Sequence, residues 1–140
     1  MSDSALAIEE TRSWLEFFGS RSGTESFANR IDSGCEFLGW GRSVLGKTGW
    51  MRNRERFLDA FDPIAVTVVD VTGCQGEVSG HARLAAKHRK SEQEIDVFFS
   101  FFLRWEDEKI VWMRSLLDTG SLLAQLSLLD LKLWDVIFES

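Results

Sequence analysis

Ile95-Asp96-Val97-Phe98-Phe99-Ser100-Phe101-Phe102-Leu103-Arg104-Trp105 carries an apolar residue at every odd position. Successive side chains of a strand point to opposite sides, so unbroken alternation of this length predicts one long strand with a buried face. Just downstream, Glu106-Asp107-Glu108-Lys109 reads as a four-residue polar turn, and Ile110–Leu117 as a strand running back. Two such runs joined by a short charged loop predict an antiparallel hairpin. Upstream, Ile64–Thr72, Glu77–Lys87 and Ser91–Trp105 read as strands, with Gly73 and Gly76 bracketing a turn. No amphipathic segment of helical length separates any of them, which excludes parallel crossovers among these strands and predicts a meander.

Before Pro63 the pattern is helical. Ser4–Ser20 spaces Leu6, Trp14, Phe17 and Phe18 as an amphipathic helix, stopped by Gly19, Ser20, Ser22 and Gly23. Thr24–Ile31 predicts a shorter helix, and Cys35–Trp40 a short strand. Thr48–Phe61 predicts a third helix that buries Trp50, Phe57, Leu58 and Phe61 and leaves Arg52, Arg54, Glu55 and Arg56 in water. Pro63 ends it. Asp118 is expected to cap a last helix, Thr119–Leu129, followed by an apolar tail, Leu131–Phe138. The fold class is therefore α+β, with the helices gathered at the N-terminal end. Residues 1–140 are expected to form one domain, with 119–140 as its C-terminal extension.

The even positions of the long strand are Asp96, Phe98, Ser100, Phe102 and Arg104. Two adjacent phenylalanines in the middle of a nominally wet face predict a patch that something covers, most economically an identical subunit. A homodimer through Phe98 and Phe102 is the expectation; a C-terminal tail folded over the patch is the alternative.

A net charge of −6 argues against a nucleic-acid footprint, which needs a concentrated basic face. The basic run Arg83–Lys90 reads as a solvated hairpin. Cys35 and Cys74 fit neither a metal spacing nor a disulfide framework. No charged-then-apolar leader opens the chain and no apolar run nears membrane-spanning length, so the expectation is a cytoplasmic protein without membrane contact, metal or cofactor.

Leu45-Gly46-Lys47 before the third helix and Lys109-Ile110-Val111-Trp112-Met113-Arg114-Ser115-Leu116-Leu117-Asp118 at the closing strand resemble markers of the nuclear-transport-factor-2-like superfamily. The closest likeness is to SnoaL-like polyketide cyclases, with limonene epoxide hydrolase and ketosteroid isomerase as relatives, over about Ala5–Leu126. The resemblance implies a cone-shaped curved antiparallel sheet wrapped on three N-terminal helices, with the chemistry inside the cone. The isomerase base would fall near Leu38, and its acid donor near Phe98 or Asp96; the tyrosine has no counterpart, since the chain has no Tyr. The hydrolase Asp-Arg-Asp set would fall near Ala82, Leu84 and Ser115, and none of the three is preserved. An apolar cone with few polar groups remains.

If Leu38 and Trp40 point inward, as the resemblance implies, period two carries Glu36 inward with them. A carboxylate among aromatic rings would have a raised pKa and could transfer protons near neutral pH. The other reading is a flipped strand, with Glu36 in water or paired to an arginine. Ser115 is a candidate for orienting a substrate. Trp14, Leu38, Trp40, Trp50, Phe99 and Phe101 are candidates for lining the cavity, although aromatics on amphipathic elements also serve simply as core. His88 shares the concave parity of its strand but sits at a basic hairpin end, where a solvated histidine is the better reading.

Gly41-Arg42-Ser43-Val44-Leu45-Gly46-Lys47-Thr48 matches the phosphate-loop pattern letter for letter, between an expected strand and an expected helix. Its interior of Arg, Ser, Val and Leu lacks the small residues that let backbone amides converge on an anion. A glycine-flanked approach to a helix explains the same letters. The expected function is thus cofactor-free acid–base chemistry of cyclase, isomerase or hydrolase type on an apolar, ring-containing small molecule. A non-catalytic small-ligand or dimerisation module of the same fold is the alternative, and a nucleotide-binding protein is the third reading.

Overall fold

The computed structural model describes residues 3–16, 21–39, 42–130 and 135–137. Expectations for Phe17, Phe18, Trp40, Gly41 and most of the Leu131–Phe138 tail lie outside the described residues. The elements run α1 (Asp3–Glu16), α2 (Arg21–Ala28), β1 (Ile31–Gly39), β2 (Arg42–Leu45) and α3 (Gly46–Ala60), then β3 (Phe61–Cys74), β4 (Glu77–His88), β5 (Glu94–Glu106), β6 (Lys109–Leu117) and α4 (Thr119–Gln125). The fold is α+β: one curved sheet ordered β2-β1-β6-β5-β4-β3, with α1 packed across β3 and β4 and α3 across β1.

β5 sits between β6 and β4, and both pairings are antiparallel. Its odd residues, Ile95, Val97, Phe99, Phe101, Leu103 and Trp105, are all buried beneath the helices. Val78, Ala82, Leu84 and Ala86 of β4 join them in the core. Each large apolar side chain moved from water into this layer contributes about 1.5–3 kcal/mol, so the alternating pattern by itself sets which face closes.

The sheet is not wholly antiparallel. β1 pairs with β6 in parallel, Phe37 opposite Met113 and Gly39 opposite Ser115. The expected meander holds for the strands after Pro63, but β1 precedes them, and the whole chain from β2 to β5 serves as its crossover. The turn between β5 and β6 is also tighter than expected. Glu106 pairs with Lys109, leaving only Asp107 and Glu108, at φ 48° and 62°, to reverse the chain. Two consecutive left-handed residues suit the twist of a two-residue hairpin.

Pro63 does not border α3 directly. The helix ends at Ala60, and the proline lies within β3, an edge strand, at an irregularity in its ladder. An edge position tolerates the missing N–H. Asp118 caps α4 as expected, accepting from the Ser121 amide at 3.1 Å. The helix stops at Gln125 rather than Leu129, and Ser127 with φ 59° lies just beyond its end. Among the described residues no helix is long and apolar enough to cross a membrane.

Candidate functional site

A pocket opens on the concave side, between α3 and the β1–β6–β5 part of the sheet. α1 contributes Trp14, and α3 contributes Trp50, Asn53, Arg54 and Phe57. Phe37 comes from β1, Phe101 and Leu103 from β5, and Met113, Arg114 and Ser115 from β6. The inward parity of β5 and β6 supplies the floor. Trp50, Arg54 and Phe57 recur at helical spacing, so one face of α3 supplies the wall. Trp14 stacks on Phe27 at 4.6 Å between centroids and meets Trp50 edge-on at 5.9 Å. These contacts hold the aromatic wall in place before any ligand arrives. The free volume is about 50 Å³, a narrow space.

The polar groups are few. Ser115 is buried and donates its hydroxyl to the Ser100 carbonyl at 3.2 Å. Asn53 is half-buried on α3. Arg54 is half-buried too, and its Nε is enclosed without a hydrogen-bond partner. Burial pulls the Arg54 pKa below its ordinary value, and Glu55 partly offsets this; a guanidinium remains charged regardless. The pocket is lined by no Asp, Glu or His. Among the described residues no group of three or more His, Cys, Asp or Glu side chains could hold a metal ion.

The expected site residues separate into groups. Trp14, Trp50, Phe101 and Ser115 meet at the pocket. Phe99 is core, 2% exposed, and is not part of the lining. Leu38 and Glu36 are corrections: both side chains stand on the outer face, Glu36 55% exposed and 3.6 Å from the Arg114 guanidinium. The segment offered two competing parities. Burying Cys35 and Phe37 satisfies the sheet, whereas burying Leu38 would have carried the Glu36 carboxylate into an apolar cone at a cost of several kcal/mol. Trp40 lies outside the described residues. His88 is at the hairpin end, with its Nδ1 2.7 Å from the Ser91 hydroxyl.

The residue that sequence reasoning missed is Arg54, expected in water with its charged neighbours. Its signal was present: it lies four residues after Trp50 and three before Phe57, both expected to be buried.

The phosphate-loop match resolves structurally. Arg42–Leu45 is an edge strand antiparallel to β1, so its backbone is engaged in a ladder rather than arched around an anion. Gly46 adopts φ +67°, and a Cβ there would stand 2.9 Å from the Ser33 carbonyl oxygen. That close approach explains the glycine. Lys47 donates to the Asn29 side-chain oxygen at 2.6 Å.

No family model matches this sequence, and no curated protein matches it either. Solved structures do. The chain is similar to a candidate SnoaL-like polyketide cyclase from Jannaschia sp. CCS1, with TM-score 0.82 at 16% identity over 93% of this chain and 97% of that one. It is similar to a hypothetical protein of ketosteroid isomerase-like fold from Catenulispora acidiphila, in complex with trimethylamine, with TM-score 0.75 at 15% identity over 86% and 94%. It is also similar to an LEH-like epoxide hydrolase from M. tuberculosis, with TM-score 0.71 at 11% identity over 99% and 100%. What these proteins share with this chain is the fold.

Proposed function

We propose that this chain, which has the nuclear-transport-factor-2-like fold, holds an apolar, ring-bearing small molecule in its concave pocket. The observation that carries this reading is the composition of the lining: a preformed aromatic wall of Trp14, Trp50, Phe57 and Phe101, with Asn53, Arg54, Arg114 and Ser115 as its few polar residues around the cavity. Small-molecule sites are typically apolar clefts with a small number of placed polar groups that orient the ligand. Any reaction of cyclase or isomerase type in this pocket proceeds by orienting the substrate and stabilising negative charge on it, since no side chain lining the cavity is a carboxylate or an imidazole. Proton transfer by Glu36 is not part of this reading.

Titration with benzyl alcohol, a neutral single-ring probe, tests it. Quenching of tryptophan emission and a raised melting temperature are expected in the parent, and both are lost in Leu103→Trp, which fills the cavity. An unresponsive parent protein rejects the reading.

The outer face carries a separate proposal, a homodimer. Phe98 is 50% and Phe102 41% exposed, and Leu116 and Leu38 stand exposed on neighbouring strands of the same face. An apolar patch of this extent is self-complementary about a twofold axis, which buries it in one closed contact.

A further inference from the structure

We infer that the pocket is built for an anion: a single-ring carboxylic acid whose carboxylate pairs with Arg54 while its ring lies against Trp14 and Trp50. This rests on the ring-binding reading and adds charge and size to it.

Charge comes from the arginines. Among the described residues three arginine side chains are half-buried: Arg30, Arg54 and Arg114. Arg30 stands 3.5 Å from Glu10, and Arg114 stands 3.6 Å from Glu36. Arg54 has no carboxylate within ion-pair distance among the described residues, and its enclosed Nε lacks any acceptor. A polar donor taken out of water and left unmatched is unfavourable, so the fold encloses one guanidinium N–H that it does not itself satisfy. Helical spacing aims it at the cavity, on the face that carries Trp50 and Phe57. A planar guanidinium matches a carboxylate as a two-pronged fork, and Asn53 on the preceding position adds a neutral amide donor. The absence of any acid from the lining makes a cationic ligand unfavourable in the same space.

Size comes from the cavity. At about 10–15 Å³ per water by the same kind of measure, the 50 Å³ available accommodates a handful of waters. That suits one ring and a small substituent, and it disfavours a fused polycycle.

The experiment compares three probes of one ring size, benzoate, benzyl alcohol and benzylamine, by calorimetry and tryptophan quenching on the parent protein and on Arg54→Met and Arg54→Lys. Benzoate is expected to bind roughly 10- to 100-fold more tightly than benzyl alcohol, the range of a charge-assisted hydrogen bond, with benzylamine weakest. Arg54→Met removes that advantage, lowering benzoate affinity far more than benzyl alcohol affinity so that the two become comparable; Arg54→Lys, which keeps the charge and loses the fork, falls between. The parent-only comparison of the three probes stands even where a variant fails to fold. Equal affinity for benzoate and benzyl alcohol, or a benzoate advantage that survives Arg54→Met, overturns the anion inference and leaves ring binding intact. Failure of all three probes overturns ring binding and this inference with it.

Discussion

The two faces of β5 each carry a pair of phenylalanines and do different things. The inner face carries Phe99 and Phe101 among aliphatic neighbours, and the helices close over it. The outer face carries Phe98 and Phe102, offset by one residue, and they stand exposed beside Arg83 and Arg104. Arg83 reaches over the Phe98 ring at 5.8 Å from its centroid, and Arg104 and Arg114 bracket Trp112 at 5.6 and 4.4 Å. The presence of phenylalanine therefore does not by itself distinguish the faces. The neighbours do: uninterrupted apolar rows build a core, whereas aromatic residues interleaved with guanidinium groups build a surface that is apolar and still wettable.

The largest test of that contrast is truncation on either side. Phe99→Ala is expected to cost about 3–5 kcal/mol in denaturant unfolding, the range for emptying a packed aromatic site. Phe98→Ala, one residue away, is expected to cost less than about 1 kcal/mol in the monomer, as surface substitutions do. Comparable losses at both positions would show that the outer face is covered tightly enough to act as core. The next largest effect concerns assembly. Phe98→Glu with Phe102→Glu should convert a dimer to a monomer by light scattering, because a desolvated carboxylate is placed in each half of the patch; a parent protein that is already monomeric at high concentration removes the dimer.

A smaller effect tests how closed the inner face is. Burial, with Asp32 nearby, pushes the Cys35 thiol from 9.0 up to about 11. The folded pKa lies above the unfolded one, so the native state holds the extra proton between these values. The contribution is fully present below about pH 9 and is lost as pH rises through about 11. Melting temperature should fall over that window in the parent and fall less in Cys35→Ala, while alkylation at pH 8 should label exposed Cys74 and spare Cys35. The smallest effect belongs to Glu36→Gln, which removes an exposed ion pair worth about 0–1 kcal/mol. Probe affinity in the pocket should not change; a clear loss would return Glu36 to the concave side.

The contrast between residues that were legible in the sequence and those that were not follows the same line. Asp118 as a cap, the β5 alternation and the pocket positions of Trp14, Trp50, Phe101 and Ser115 could be read locally, because helix and strand periods decide them. Glu36 and Leu38 could not. In Cys35–Trp40 both parities carry two apolar residues, and choosing between them depends on what lies across the sheet. Arg54 fell between the two cases: its spacing was readable, but a charge at a core-facing position is read as solvated unless the cavity beside it is known.

The alternation of Ile95–Trp105 was sufficient to dictate a long half-buried strand, its hairpin partners and the α+β class, because a period of two admits one regular structure and burial of one face admits one register. The parallel seam between β1 and β6, the outward turn of Glu36 and the presence of a guanidinium at the aromatic wall were decided only when the chain closed. Each depends on contacts between segments dozens of residues apart, where desolvation of a particular charge outweighs any local preference.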